Sequence, residues 1–316
     1  MFPPGHISRS TTTVMTTGLL ALRGQVDEAN RITMPLIEGL RQTGDDKGIL
    51  NLMNNLAIAY ASVGRHQEAI DKCNEVLGKS EQTFGSEDAQ ILDTTSIMAK
   101  SYLSIGRPDD ALKLGEKVLA VRMRQPMENH SSLLSSMRLV AEGHAALGRF
   151  IKARRVQEVY LSQLTDVDGK NHPKTISALN TLAEYSNKLG KFLQGTSIKG
   201  LVCRLEVVER SKSFFGRTDP RTVQYSELPA HDYYNRLSFA KAEQLQEQVV
   251  KEKVQTFGNN HDETAESIEF LAQVRRVGQL HRAIYWWLPR AVREMDFRND
   301  GSTALNFKKS KIIAGR

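Results

Sequence analysis

Histidine is the residue type in this chain that is best suited to bind a metal, and the sequence contains eight of them. Three of these, His130, His172 and His261, recur at one loop position. Equivalent positions in neighbouring helical units lie at least one helix-packing distance apart, about 8–10 Å. A shared zinc ion needs every ligand nitrogen at about 2.0–2.1 Å. We therefore interpret these histidines as loop residues that cap helices or form hydrogen bonds, and we predict no metal site.

Gly78-Lys79-Ser80 resembles the end of a phosphate-binding loop. That motif requires another glycine five residues earlier, after a strand, but Cys73 occupies that position and the preceding pattern is helical. The G-x-S-x-G, H-E-x-x-H, C-x-x-C and kinase motifs are also absent from the sequence. The sequence thus predicts no nucleotide site, no cofactor and no catalytic site, and hence a protein that is not an enzyme.

Composition and cysteine usage predict a helical, soluble and cytoplasmic protein. Hydrophobic residues make up 40% and charged residues 25% of the chain, as in globular proteins. No run of 18 apolar residues is present, so we expect no membrane span. The two cysteines, Cys73 and Cys203, are far apart and have no partner nearby in sequence, which favours a reducing compartment.

A short pattern repeats with a fixed period and organises the whole chain. It consists of a glycine, usually a basic residue next, and a small residue five positions after the glycine. Gly64, Gly106, Gly148 and Gly190 follow one another at intervals of 42 residues. The register extends to Gly24, Leu237 and Gly278, where Leu237 takes the place of the glycine. We count seven repeats.

Each repeat reads as two amphipathic helices separated by this glycine, which supplies the left-handed residue that ends the first helix. A second marker of the form F-G-x-x-H-P-x-T precedes each first helix. We expect its threonines to be N-caps and its prolines to start helices. These residues are Thr175, Thr222 and Thr264, and Pro173 and Pro220. Pro229 is predicted to interrupt the first helix of repeat six.

Asn55–Ala69, which reads N-L-A-I-A-Y-A-S-V-G-R-H-Q-E-A, resembles the signature of the tetratricopeptide repeat. The 42-residue period and the F-G-x-x-H-P-x-T loop are similar to those of its kinesin light chain subtype, which also occurs in the C-terminal part of fungal NLR-type proteins. The resemblance implies an all-α superhelix, or solenoid, of about seven helical pairs. It divides the chain into an entry loop over 1–15, a repeat domain over 16–298 that is irregular at 192–237, and a basic tail over 299–316.

In the tetratricopeptide pattern, the concave groove is reached from positions 13, 10 and 6 residues before the glycine. For repeats two to five these positions, apart from the apolar Ile58, are polar or charged. The candidate peptide-binding residues are therefore Asn51, Asn54, Asp93, Ser96, Lys100, Ser135, Arg138, Glu142, Ser177, Asn180 and Glu184. Asparagine amides could hydrogen-bond the backbone of an extended ligand. Lys100 and Arg138 are the cations of the set and favour an acidic or carboxylate-bearing segment.

Net charge does not favour nucleic acid as a partner. The chain has a formal charge of +7, of which +3 falls in residues 300–316, and no basic groove interleaved with aromatic residues accompanies the remainder. We expect a protein-interaction scaffold that holds a peptide or helix. Two alternatives remain open: the sensor part of an NLR-type nucleotide-binding receptor, since the repeat register already begins at Phe2, and a cargo adaptor like kinesin light chain.

Overall fold

The computed structural model describes residues 23, 25–125, 130–192 and 197–287. These residues form twelve α-helices and no strand. The helices are α1 (Val26–Thr43), α2 (Asp46–Ser62), α3 (His66–Phe84), α4 (Ala89–Ser104), α5 (Pro108–Arg122), α6 (His130–Ala146), α7 (Phe150–Asp168), α8 (Pro173–Phe192), α9 (Ile198–Phe215), α10 (Pro220–Asn235), α11 (Phe239–Phe257) and α12 (Asp262–Trp287). The predicted entry loop over 1–15, the tail over 299–316 and the turn at Gly24 lie outside the described residues.

The turn between the two helices of a repeat forms where the sequence predicts it in repeats two, three and four. Gly64, Gly106 and Gly148 have φ of 81°, 77° and 68°. The same backbone hydrogen bonds close each turn, for example Gly64 N–H to Ala61 O at 3.2 Å and Arg65 N–H to Tyr60 O at 2.9 Å. A residue in this conformation satisfies the carbonyls at a helix end.

The basic residue that recurs after the glycine forms a cation–π contact with the preceding helix. The guanidinium of Arg65 lies 4.8 Å from the ring centroid of Tyr60, and that of Arg107 lies 4.7 Å from the ring of Tyr102. Each pair joins the first residue after the turn to the last turn of the preceding helix through a cation–π contact. The recurring basic residue therefore stabilises the turn.

Two predicted turns and one predicted break are wrong. Helix α8 continues past Gly190 to Phe192, and α12 continues past Gly278 to Trp287. A Cβ on Gly278 would lie 3.1 Å from the Cβ of Phe239, so this glycine allows α11 to approach α12 closely. Pro229 lies buried inside a continuous α10, because the packing around it outweighs the loss of one helical hydrogen bond.

The loop marker starts helices as predicted, and His172 and His261 cap them as predicted, but the threonines do not. Pro173 and Pro220 are the first residues of α8 and α10. The predicted N-caps Thr175, Thr222 and Thr264 are wrong: all three are fully buried and lie inside the helices. The caps are made one turn earlier, by the residue directly before each helix. His172 Nδ1 accepts from Lys174 N–H at 3.3 Å, Asp219 Oδ1 from Arg221 N–H at 2.9 Å, and His261 Nδ1 from Glu263 N–H at 3.2 Å.

The chain divides into two compact units, unit 1 (Met1–Val156) and unit 2 (Gln157–Arg316). In unit 1 each helix from α1 to α5 packs against the next, and α4 also packs against both α2 and α6. Its core includes Leu50, Leu56 and Ile91, which are at most 1% exposed. This arrangement places three first helices side by side.

In unit 2 each helix from α8 to α11 contacts the next helix. Its core includes Ile176, Leu182, Ala183, Cys203 and Val207. None of the described helices combines the length and the apolar character needed to span a bilayer. The predicted fold class, all-α with tetratricopeptide-type helical pairs, is confirmed, with about six pairs in the described residues rather than seven.

Candidate peptide-binding face

Eight of the predicted groove residues lie on α2, α4 and α6, the three first helices that pack side by side in unit 1. We call this surface the unit-1 face. It comprises Asn51, Asn54, Asp93, Ser96, Lys100, Ser135, Arg138 and Glu142. Contacts and charge interactions link most of these residues to neighbours on the adjoining helices.

The two asparagines are already hydrogen-bonded to the next first helix. Gln90 Nε2 donates to Asn51 Oδ1 at 2.8 Å, and Thr94 Oγ1 donates to Asn54 Oδ1 at 2.6 Å. These bonds connect α2 to α4 and hold both amide groups in place. The amide oxygens are therefore engaged. Asn54 is only 9% exposed, so it is the amide N–H groups of the half-buried Asn51 that remain to donate to a ligand.

The serines of the unit-1 face differ in what they can offer. Ser96 is 9% exposed, and its hydroxyl donates to the carbonyl of Leu92 at 2.7 Å within α4. This geometry leaves Ser96 as a packing residue rather than a ligand contact. Ser135 is half-buried, and Ile58 is an exposed apolar side chain on α2.

Lys100 is the cation on the unit-1 face that makes no ion pair with any described residue. Its side chain is exposed, yet surrounding protein and the positive charge of Arg138 lower its pKa, while Glu142 and Asp93 act in the opposite direction. Arg138 is exposed and pairs with Glu142 at 3.3 Å.

Asp93 is held by Arg122, a residue that the sequence did not single out. Arg122 lies at the end of α5, is 7% exposed, and donates to Asp93 on α4. It also donates to Ser136 Oγ at 2.6 Å and to the carbonyl of Ser132 at 3.0 Å on α6. Burial raises the pKa of Asp93, and the charge of Arg122 opposes this shift. Arg122 thus neutralises Asp93 and leaves Lys100 as the unmatched charge.

The remaining predicted residues, Ser177, Asn180 and Glu184, lie on α8 in unit 2. Ser177 is exposed, and Asn180 Nδ2 donates to Glu184 Oε1 at 3.2 Å. The same register, counted back from Leu237, reaches Gln224, Glu227 and His231 on α10. The prediction missed these three because it stopped at repeat five.

Glu227 is at the centre of a hydrogen-bonded cluster in unit 2. Its carboxylate accepts from Ser267 Oγ, from Gln246 Nε2 at 3.0 Å and from Lys253 Nζ at 2.9 Å. Burial alone would raise the pKa of Glu227, but these three donors together hold it below its ordinary value. Lys253 is only 3% exposed, so the cluster joins α10, α11 and α12 rather than facing solvent.

A second buried ion pair lies beside it. Arg204 Nη1 donates to Asp232 Oδ1 at 2.8 Å, and Asn187 Nδ2 donates to both oxygens of the same carboxylate at 3.0 and 3.2 Å. Burial raises the pKa of Asp232, while Arg204 and Asn187 oppose the shift. The neighbouring His231 stacks on Phe270 with ring centroids 3.8 Å apart, and burial lowers its pKa.

Neither cysteine has the environment of a reactive thiol. Both Cys73 and Cys203 are free and buried. Burial raises the pKa of Cys73 to about 12 and also raises that of Cys203. A thiol that stays protonated is a poor nucleophile. In the part of the chain that the structure describes, no group of three His, Cys, Asp or Glu residues could hold a metal.

Comparison with protein families finds a match to the tetratricopeptide repeat over residues 48–124, which span α2 to α5. No curated protein sequence matches the chain.

Three solved structures illustrate the likeness of fold. The nearly identical TPR-like repeats of a kinesin light chain candidate from Podosopora anserina share 22% identity with a TM-score of 0.58, covering 66% of this chain and 95% of theirs. RapI in its apo form shares 13% identity with a TM-score of 0.56, covering 85% and 98% of the two chains. BtubC from P. vanneervenii shares 16% identity with a TM-score of 0.51, covering 69% and 87%.

Proposed function

We propose that this chain is a non-enzymatic protein-interaction scaffold whose unit-1 face binds a carboxylate-bearing peptide segment. The observation that carries the proposal is Lys100, an exposed cation beside Arg138 that no carboxylate of the described residues pairs with. A ligand carboxylate at this point would form a charge-assisted hydrogen bond in a partly desolvated setting. The resemblance of residues 48–124 to tetratricopeptide repeats supports the general role.

The surroundings of Lys100 suit an extended peptide. Asn51 is fixed by its bond to Gln90, so its amide N–H groups can donate to ligand carbonyls without a further loss of side-chain freedom. Ile58, which is 42% exposed, offers an apolar contact on the same helix. The ligand would therefore combine one acidic residue with backbone hydrogen bonds and a small apolar contact.

A peptide library tests this assignment directly. Purified protein is used to select from a displayed random pool, and bound acidic peptides are compared with copies in which each Asp or Glu is replaced by Asn or Gln. We expect acidic peptides to be selected. The double variant Lys100→Glu with Arg138→Glu should weaken their binding about tenfold or more, since hydrogen bonds to charged groups contribute about 1.5–3 kcal/mol.

The matched control makes the same change of charge elsewhere in unit 1. Lys113 on α5 and Lys152 on α7 are exposed lysines on second helices. The double variant Lys113→Glu with Lys152→Glu should leave peptide binding unchanged. Equal selection of the neutral peptides, or equal losses in the two double variants at equal folding, would contradict the proposal.

A cargo adaptor like kinesin light chain is the second candidate, and the fold likeness to the Podosopora anserina repeats favours it. The sensor role in an NLR-type receptor is supported by the sequence resemblance alone. Sequencing the transcript to its 5′ end distinguishes the two. A phosphate-loop domain in frame supports the sensor, and a heptad coiled coil in frame supports the adaptor.

The proposal includes a cytoplasmic location, which two buried free thiols support. Imaging of a tagged full-length protein would test it, and a secretory or organellar distribution would contradict it.

A further inference from the structure

The first helices of unit 2 also lie side by side. Asn187 on α8 donates to Asp232 on α10 at 3.0 Å, and Ser267 on α12 donates to Glu227 on α10. The repeat register places six residues of α8 and α10 on one surface: Ser177, Asn180, Glu184, Gln224, Glu227 and His231. The contacts of α12 show which of its residues continue that surface.

Helix α12 contacts the preceding helix in the way that α6 does in unit 1. Lys253 donates to the carbonyl of Glu263 at 3.2 Å, and Arg122 donates to that of Ser132 at 3.0 Å. Glu263 therefore takes the place of Ser132. Counting on from this pair, the residues equivalent to Ser135, Arg138 and Glu142 are Glu266, Glu269 and Gln273. We call these last three residues, together with the six on α8 and α10, the unit-2 face.

The unit-2 face is acidic, whereas the unit-1 face carries charges of both signs. Four of its nine positions are glutamates, and none is a lysine or an arginine. The buried Lys253 pairs with Glu227. No cation of the described residues forms an ion pair with Glu184, Glu266 or Glu269, of which the last two are exposed. Three negative charges on this surface are therefore left without a cation.

The segment that follows α12 has the opposite charge. Residues 301–316 contain no acid, and three of the four residues over 308–311 are lysines. Twenty residues separate Lys308 from Trp287, the last residue of α12. A random coil of that length has a root-mean-square end-to-end distance of about 25 Å. Glu269 lies 18 residues before Trp287, which is about 27 Å along the helix. The lysines are therefore within reach of the unit-2 face.

We propose that the lysines of residues 308–311 bind the unit-2 face of the same chain and pair with Glu184, Glu266 and Glu269. A tethered segment reaches an effective concentration in the millimolar range, so that even a contact with a dissociation constant of about 1 mM is half formed. The basic segment thereby occupies the unit-2 face as an internal ligand, and a basic partner has to displace it. This inference does not depend on the peptide binding proposed for the unit-1 face.

Disulfide trapping in the full-length chain tests the proposal. Ser310→Cys puts a thiol between the lysines, and Gln224→Cys puts a second thiol at an exposed position of the unit-2 face. The control combines Ser310→Cys with Gln248→Cys, at an exposed position on the second helix α11. We expect the intramolecular disulfide to form at least about tenfold faster at position 224 than at position 248, because only the first pair is held together. Cys73 and Cys203 are buried and do not compete.

Exchanging the charges across the contact tests its electrostatic basis. Glu184→Lys with Glu269→Lys should slow the trapping at position 224 several-fold, and about 0.5 M salt should slow it without any change of sequence. Adding Lys308→Glu with Lys309→Glu to the first variant should restore the rate. The double variant Lys100→Glu with Arg138→Glu should leave the rate unchanged, which separates this proposal from that for the unit-1 face. Circular dichroism confirms that each variant is folded.

Three outcomes would overturn the proposal. Equal rates at positions 224 and 248 would show that the tail does not prefer the unit-2 face. A combined variant as slow as Glu184→Lys with Glu269→Lys would show that charge pairing does not hold the segment. Disulfide-linked dimers that increase with protein concentration, in place of the intramolecular product, would show that the face takes the tail of a second copy.

Discussion

The guanidinium of Arg122 at the end of α5 donates to the carboxylate of Asp93 on α4. It also donates to two groups on α6, the hydroxyl of Ser136 and the carbonyl of Ser132. One buried side chain thus joins three consecutive helices. It also pairs with Asp93, an exposed carboxylate of the unit-1 face.

Lys253 at the end of α11 makes an equivalent set of contacts in unit 2. Its ammonium donates to Glu227 on α10 at 2.9 Å and to the carbonyl of Glu263 on α12 at 3.2 Å. The equivalent position in other repeats holds Ser80, Leu164 and Ser211, which are also buried. This position is therefore buried whichever residue occupies it. Where the residue is a cation, as in Arg122 and Lys253, it links one helical pair to the next.

Replacing Arg122 should destabilise the protein. Arg122→Met keeps the apolar stem but leaves the groups on α6 without their donor, so we expect the free energy of unfolding to fall by about 2 kcal/mol. Urea denaturation measures it. Arg124→Met is the control, since the Arg124–Glu87 pair is exposed at 3.2 Å, and it should cost no more than about 0.5 kcal/mol. Equal losses would contradict a structural role for the buried contacts.

The protein should be less stable with leucine than with glycine at position 237. Leu237 adopts φ of 58°, a left-handed conformation that it alone shows among the described non-glycine residues. Its side chain is 43% exposed, so little packing is lost on truncation. We expect Leu237→Gly to raise the free energy of unfolding by about 1 kcal/mol. The reverse test is Gly64→Ala, where a Cβ would meet no atom within 4 Å. It should lower stability by about 1 kcal/mol, and a rise in its denaturation midpoint would contradict the explanation.

Gly200 and Gly78 are both helical glycines, but a methyl group should have opposite effects at the two sites. At Gly200 a Cβ would lie 1.9 Å from Asn187 Oδ1 and 3.1 Å from the carbonyl of Ala183. We expect Gly200→Ala to displace Asn187 from Asp232 and to cost about 1–3 kcal/mol. At Gly78 nothing lies within 4 Å, so Gly78→Ala should stabilise α3 by about 0.5–1 kcal/mol. Thermal denaturation of both variants checks the signs.

Stability should fall as the pH decreases through the range in which His231 titrates. Burial lowers its pKa in the folded protein, so the unfolded chain binds this proton more readily. The contribution of neutral His231 to stability is complete above the pKa of histidine in the unfolded chain, about 6.5. It is lost as the pH falls below that value toward the pKa of His231 in the folded protein. Glu227 and Asp232 raise the pKa of His231, whereas Arg204 and Lys253 lower it.

The variant His231→Phe keeps the stacking on Phe270 and removes the titration. Urea midpoints at about pH 7.5 and about pH 5.5 should differ less in the variant than in the parent. Some dependence will remain, since burial also lowers the pKa of His144. An unchanged difference between the two midpoints would exclude His231 as a source of the pH dependence.

The turn glycines show how much of the fold can be read from local sequence. Gly64, Gly106 and Gly148 each end a helix. The chain also turns at Leu237, as the repeat period predicts, although this residue is not a glycine. Gly190 and Gly278 have the same spacing and stay helical. A glycine permits a turn without requiring one. Long-range contacts, such as that of Phe239 with Gly278, therefore decide whether the chain turns there.

The candidate site, too, could be predicted from the sequence only in part. Counting back from the turn residue by the offsets of the tetratricopeptide pattern assigned Lys100, Arg138 and the two asparagines to first helices. The count could not show that Ser96 bonds within its own helix, or that Arg122 neutralises Asp93. Arg122 is 29 residues from Asp93, and a buried cation leaves no periodic signal.

The sequence by itself thus determined the all-α fold class, the 42-residue period and four of the turns, because each depends on local backbone preference and apolar spacing. Only the tertiary structure decided which charges are paired, that the threonines do not cap the helices, and which glycines turn. These depend on the atoms that the fold brings together from other helices. Lys100 was a candidate by its position in the repeat, and it is the pairing of Asp93 with Arg122 that left it the unmatched cation of that face.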